Sequence, residues 1–238
     1  CDVMVLPETR RQYGRSSLFF RTAATFLERE IGNSVNHLLG FGFPNQKAMN
    51  IAKRLNLYEK TDDFVELILP PLESALPIVA LDADAAERSI DRLWKRMAVD
   101  FAAGIIGDRD SNYFQYRYGD HPYGRDGLYR LVSVGDDDPI AVAVLKQHAE
   151  HWLVMDVIAA REDLVIVLRS LATWALSKLE EAGLRFWVTR GYVDELRCSG
   201  AIVNELGIEI PCNSWNRGPS AEILRGKWWL TAGDMDFL

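Results

Sequence analysis

Residues 2–17 read Asp2-Val3-Met4-Val5-Leu6-Pro7-Glu8-Thr9-Arg10-Arg11-Gln12-Tyr13-Gly14-Arg15-Ser16-Ser17. Residues 2–6 read as a short buried strand that Pro7 interrupts, because proline brings no amide hydrogen to a ladder. From Ser17 onward Phe19, Phe20, Ala23, Phe26, Leu27 and Ile31 recur every three or four positions, with Arg21, Glu28, Arg29 and Glu30 largely between them. That spacing predicts an amphipathic helix ended by Gly32-Asn33. The link between strand and helix carries Arg10, Arg11 and Arg15. Gly14 allows a tight turn, and Ser16 and Ser17 allow close approach to the first helical amides. Those amides and the helix dipole favour a phosphate. A solvated basic turn with Ser16 or Ser17 as helix cap is the other reading of the same residues.

Working outward, Val35 to Phe41 reads as a second strand. Pro44-Asn45 offers a helix start, and Ala48, Ile51, Ala52 and Leu55 an apolar face. Phe64 to Leu69 is strand-like, and Pro70-Pro71 with Pro77 marks a boundary. Beyond it a helix is expected over 83–101, striped by Ile90, Leu93, Trp94, Met97 and Phe101. Three strands follow, Tyr129 to Val134, Ile140 to Leu145 and Trp152 to Ile158, the first two joined by the Gly135-Asp136-Asp137-Asp138 turn. Leu164 to Ala182 predicts a long helix, Arg185 to Thr189 a strand, Val193 to Leu206 a helix, and Ile208 to Ile210 and Trp228 to Thr231 strands.

Arg11-x-x-Gly14-x-Ser16, after a strand and before an amphipathic helix, resembles the pyrophosphate loop of the GNAT (N-acetyltransferase) superfamily, with Ser16 where that family places Gly or Ala. Gly42-Phe43-Pro44-Asn45-x-x-Ala48 followed by Arg54-Leu55-Asn56-Leu57 is similar to the family's later helix and closing strand. The resemblance implies an α/β GNAT-like acyl-CoA N-acyltransferase fold, a mixed central sheet flanked by helices. It implies acetyl-CoA or another acyl-CoA as cosubstrate and transfer of the acyl group to an amine of a small polar acceptor. Cofactor contacts would fall to Val5 on the first strand, to Arg11, Gln12, Tyr13, Gly14, Arg15, Ser16 and Ser17 in the loop, and to Asn45. Ala52 stands where the family usually has a tyrosine acid. His37 and Glu8 are the candidates for a general base.

On the same resemblance, residues 1–75 form the C-terminal half of one GNAT domain, and residues 78–238 a second copy with the same element order. The first copy is then incomplete at its N-terminus, and an opening strand headed by Cys1 predicts a longer natural protein. In the second copy, Ala159-Ala160-Arg161-Glu162-Asp163 has no glycine and sets two carboxylates where a diphosphate would sit. A degenerate copy is the expectation. Arg117 and His121, in an aromatic-rich stretch, are candidate contacts for an acceptor carboxylate or carbonyl, or Arg117 is a buried partner of Asp108 or Asp110. Asp234 and Asp236 could form an acidic pocket for an amine, or lie solvated beside a packed terminal strand.

Composition narrows the alternatives. Of 238 residues, 48% are hydrophobic and 26% charged, as in a folded soluble protein. Residues 1–75 are balanced in charge, so the net −7 falls in the remainder, which disfavours long nucleic acid as a partner. The longest apolar run, Trp152 to Ala160, is broken by Asp156 and is too short for a membrane span. Three unclustered cysteines predict neither a disulfide framework nor a bound metal, and point to a reducing, cytoplasmic compartment. No nucleophile elbow or Walker segment occurs, which excludes those hydrolase and kinase classes. The expected partner is a small-molecule amine, and a homodimer is compatible with the reading. A non-catalytic acyl-CoA-binding or protein-interaction module is the competing one, motivated by Ala52.

Overall fold

A computed structural model describes residues 6, 14–32, 36–81, 83–120, 129–148, 150–178, 183–213 and 218–235. Contacts divide the chain into two units, Cys1–Phe64 with Gly207–Gly226, and Val65–Leu206 with Lys227–Leu238. Pro70, Pro71 and Pro77 lie within the second unit. The strand expected at 2–6 falls outside the described residues except for Leu6.

In the first unit the periodicity after Ser17 produces α1, Leu18–Glu30. Its buried Phe20, Ala23, Ala24 and Leu27 pack with Ile31, Ala52 and Leu57 in one apolar cluster. Asn45 starts α2, Gln46–Arg54, its Oδ1 accepting the Ala48 amide at 2.9 Å. The buried face of α2 is Met49 and Ala52, while Ile51 is exposed, so the helix is turned by about one position from the face expected. Between the helices the strand expected at Val35 to Phe41 reduces to a single bridge, Ile31 to His37. Extended chain becomes a strand only where a neighbour takes its amides, and among the described residues none continues that bridge. β1, Tyr58–Ile68, begins earlier than the sequence suggests.

After the end of β1 the second unit continues with β2, Ile78–Ala80, and α3, Ala83–Asp100, which buries Ile90, Leu93 and Met97 along the expected stripe. β3, Ile105–Ile106, and the single turn α4, Ser111–Phe114, precede a π-helical stretch, Gln115–Gly119. Then come β4, Tyr129–Val134, β5, Ala141–Gln147, and β6, His151–Ala159, paired antiparallel in sequence. α5, Leu164–Lys178, carries the chain to β7, Gly183–Thr189, which joins β6 in parallel. The helix expected from Val193 to Leu206 stops after one turn, α6, Val193–Leu196. A tight turn closed by Ala201 N donating to Cys198 O at 3.0 Å intervenes, and β8, Ile202–Asn213, follows. After α7, Ala221–Leu224, in the first unit, β9, Trp228–Trp229, pairs with β3 in a separate small sheet.

The main sheet is mixed, in the order β2-β4-β5-β6-β7-β1-β8. Val65–Ile68 of β1 and Ile202–Leu206 of β8 are the parts of those strands within the second unit. α3 lies against β5 and β6, and α5 against β6 and β7. No described helix is long and apolar enough to cross a membrane.

Candidate functional site

In the first unit the candidate is the turn that feeds α1. Gly14 has φ +75°, a conformation that favours glycine, and a 3-10 turn over Gly14–Ser16 delivers the chain to Ser17. Ser17 is 4% exposed; its Oγ donates to Gly14 O at 2.7 Å and accepts from Phe20 N at 3.2 Å. The cap satisfies one of the orphan donors of a helix start, and the amides of Leu18 and Phe19 have no carbonyl within the helix to bond. No acidic residue lies in the first turn. Arg15 is exposed, its guanidinium 5.9 Å from the centre of the Phe20 ring. Backbone donors, a helix dipole and an arginine without neighbouring carboxylates in that turn suit a diphosphate, so the described part of the loop fits an acyl-CoA.

The other expected residues are distributed as follows. Val5, Glu8, Arg11, Gln12, Tyr13 and His121 lie outside the described residues. Asn45 is the α2 cap. His37 is exposed, its backbone donating to Glu30 O at 3.0 Å and accepting from Gly32 N at 2.7 Å. Ala52 is 3% exposed and inside the apolar cluster, and α2 carries no tyrosine. Tyr58, the first residue of β1, is half-buried, and burial pushes its phenol above the ordinary value.

In the second unit the structure assembles a buried charged cluster from residues that spacing alone does not connect. Arg109 and Asp156 are both 0% exposed. Arg109 donates from Nε to Asp156 Oδ1 at 2.8 Å, from Nη1 to Gly107 O at 2.8 Å, and from Nη2 to Asp234 Oδ2 at 2.6 Å. Asp156 Oδ2 also accepts from Tyr113 Oη at 3.1 Å and from Tyr118 Oη at 2.9 Å, and its Oδ1 accepts from Thr231 Oγ1 at 3.3 Å. Burial alone would lower the guanidinium's affinity for its proton, but the two carboxylates outweigh it and hold Arg109 charged. Burial and then Asp156 push both phenols well above their ordinary range, so each stays a donor. Arg117 is committed elsewhere, donating to Gly233 O at 2.9 Å and to Met235 O. Asp110 caps α4, its Oδ1 accepting from Tyr113 N at 2.8 Å. The legible signal for the cluster was Asp156 itself, a lone acid in an apolar strand.

This cluster fixes the chain at the point where β6 and β7 part. The two strands pair only from His151 with Gly183 to Val154 with Phe186. A bulge follows, since Val144 faces Asp156 but Leu145 faces Val154, leaving Met155 as the extra residue on β6. The segment 228–235 takes the place of the missing ladder. Thr231 bridges Val188, Leu230 O accepts from Thr189 N at 3.3 Å, and Thr231 reaches Asp156 on β6. Gly233 packs so closely on the bulge that a Cβ there would meet Met155 O at 2.8 Å and Asp156 Oδ2 at 2.7 Å.

In the exposed turn before α5 the one arginine is already engaged. Arg161 donates from Nε to Glu195 Oε2 at 2.7 Å, and its guanidinium lies over Phe101 and Tyr192 at 5.3 and 5.5 Å from their ring centres. Burial, then Glu162, pushes the Asp163 carboxyl up, against the opposing pull of Arg96. An extended ligand between β6 and β7 would have to displace residues 228–235, and a diphosphate at the α5 turn would meet two carboxylates. The second unit therefore does not fit an acyl-CoA. Among the described residues no group of three or more His, Cys, Asp or Glu is placed to hold a metal ion.

No protein-family model matches the chain, and no curated protein sequence matches it. Among solved structures it is similar to a conserved Enterococcus faecalis protein of unknown function described as a probable N-acyltransferase. That pair shares 12% identity at a TM-score of 0.57, over 87% of this chain and 51% of the other. It is also similar to a GCN5-related N-acetyltransferase from Kribbella flavida, with 15% identity and a TM-score of 0.57 over 89% of this chain and 50% of that one. A GCN5-related N-acetyltransferase from Anabaena variabilis gives 12% and 0.53, over 87% and 52%. The chain spans about half the length of each of these structures. At such identities the likeness is one of fold, and that fold is the GNAT-like α/β arrangement of a mixed sheet flanked by helices.

Proposed function

We propose that the protein is an acyl-CoA-dependent N-acyltransferase, with acetyl-CoA or another acyl-CoA as cosubstrate and a small polar amine as acceptor. The observation that carries the reading is the acid-free start of α1 behind the Gly14 turn, in a chain with this fold. In this proposal the amides of residues 12–17 hold the diphosphate, with Arg11 and Arg15 adding charge, and Val5 pairs with the pantetheine arm. The cosubstrate, when bound, supplies an activated thioester carbonyl. The chain's own residues hold the amine against that carbonyl, and a base, His37 or Glu8, takes a proton from the ammonium before its nitrogen forms the new bond. The acyl group leaves sulfur for nitrogen, and the thiolate takes up a proton. In this proposal residues 1–75 are the cofactor-binding part of a tandem arrangement and residues 78–238 a degenerate copy, a reading supported by the filled β6–β7 opening and by the two carboxylates of the α5 turn. His121 would contribute an acceptor contact through the second copy, whereas Arg117 already holds the Gly233 and Met235 carbonyls.

One observation favours a second reading, a non-catalytic acyl-CoA-binding or interaction module. Ala52 is buried in the apolar cluster at the place the resemblance gives to a tyrosine acid. Two measurements decide between them. Acetyl-CoA binding by calorimetry is expected to be lost in Gly14→Asp, which puts a charge and a disfavoured φ at the turn. Thiol release that depends on an added amine, and disappears in the same variant, supports the transferase; binding without amine-dependent release supports the module. Unchanged binding and release in Gly14→Asp would refute the assignment of the loop.

A further inference from the structure

Within the second unit, α3, α4, the π-helical stretch and strands β4 and β5 line a half-open cavity of about 480 Å³ that is separate from the filled β6–β7 opening. Its size falls in the range of small-molecule sites. Ala86, Ile90, Phe114, Tyr118, Leu131 and Val144 form its apolar walls. Glu87, Asn112 and Gln115 stand at its exposed mouth.

Two observations single it out. The first is the wall made by Gln115–Gly119. A five-residue π-helical run is rare, and such turns are frequent at functional sites. Here Tyr118, 9% exposed, lines the cavity while its hydroxyl donates to Asp156. The Gln115 side chain is fixed at the rim by its Nε2 donating to Asp120 Oδ1 at 2.7 Å. The second is charge. Glu87 is the one charged residue among the described lining residues. Behind Tyr118, the buried cluster sets two carboxylates against one guanidinium. A carboxylate at the mouth of an apolar-walled cavity attracts a cation mounted on an apolar body and repels an anion.

We propose that this cavity is a binding site for a small organic cation, a primary ammonium carried on an aromatic or branched aliphatic body. Its apolar part lies against Ile90, Phe114 and Leu131, and its ammonium points to Glu87. The assignment stands whether or not the first unit transfers acyl groups, because its readout is binding alone.

The test is calorimetry at neutral pH with three ligands of one shape, 2-phenylethylamine, 2-phenylethanol and 3-phenylpropionate, on the wild-type chain, Glu87→Gln and Leu131→Trp. The expected result is one site for the amine, weakened roughly fivefold by Glu87→Gln, as for an exposed ion pair, and abolished by filling the cavity in Leu131→Trp. The alcohol is expected to bind more weakly than the amine, and the carboxylate not at all. No binding of the amine, equal binding of the alcohol or carboxylate, or an unaltered affinity in Glu87→Gln would overturn the proposal. Should Leu131→Trp fail to fold, methyl chemical shifts on the wild-type chain replace it. Amine-induced shifts confined to Ile90, Leu131 and Val144 uphold the site, and shifts confined to other methyls refute it.

Discussion

Asp156 stands in β6 between Met155 and Val157, in a strand whose residues from Trp152 to Ala159 are all buried. A carboxylate in such surroundings is tolerated only when its lone pairs are met and its charge balanced. Arg109, Tyr113, Tyr118 and Thr231 meet that demand with four donors. Removing the cation alone strands two acids in the interior. Arg109→Met is therefore expected to lower the unfolding free energy by about 3–5 kcal/mol, whereas Arg117→Met, which loses hydrogen bonds to two carbonyls, is expected to cost about 1–2 kcal/mol. Urea melts of the two variants check the ranking, and equal losses would refute it. The sequence displays the acid, since Asp156 visibly breaks an apolar run, and by itself the acid demands a cation. It does not display which arginine answers, because Arg109 and Arg117 share one aromatic-rich stretch and only the path of residues 228–235 separates their roles.

At the scale of single elements, the hairpin of β5 and β6 is closed by two histidines. The rings of His148 and His151 are stacked 4.8 Å apart at 3°, and His148 N donates to His151 O at 2.9 Å. Burial first, then Lys146 and Arg185, holds His148 below its ordinary value of 6.5. Burial, Arg185 and His148 do the same for His151, against the weaker opposing pull of Glu66 and Glu150. Because the folded values lie below the unfolded one, the unfolded chain takes up protons first on acidification. The stability tied to the neutral pair is full above about pH 6.5, the unfolded value, and is lost as the pH falls from there through the lower folded values. Urea midpoints at about pH 7.5 and about pH 5.5 are expected to fall further for the wild type than for His148→Gln; equal falls would show that the pair does not contribute.

Elements also differ in how far the sequence announces them. α1 and α3 follow directly from apolar spacing, and Ser17 from its place before the first such residue. β8 does not, because Val193, Leu196 and Ile202 also fit a helical period. The Ser199-Gly200 pair was the local cue against it. The segment around His37 has strand-like composition, but among the described residues it pairs only through the Ile31–His37 bridge, and pairing is a property that resides in the rest of the fold. At the candidate site, Gly14 and Ser17 are where the sequence put them. The cavity beside Tyr118 had no sequence signature, since its walls come from α3, α4, the π-helical stretch and two strands.

For the whole molecule, the proposed division of labour predicts stoichiometry. With the β6–β7 opening of the second unit filled by residues 228–235, acetyl-CoA is expected to saturate the chain at one per molecule in a calorimetric titration. A second equivalent of comparable affinity would mean that the segment can leave its place. A different consequence follows from the position of β1 in the strand order, between β7 and β8. Glu66 on β1 meets Asn204 across a separation of 138 residues, and Thr61 meets Ile210 across 149. During synthesis β1 leaves the ribosome with neither sheet neighbour yet made, and its apolar residues Phe64, Val65 and Leu67 wait for more than half of the chain to emerge. Sheet closure is thus a late event for the nascent protein, and the interval before it is when a chaperone has most to protect.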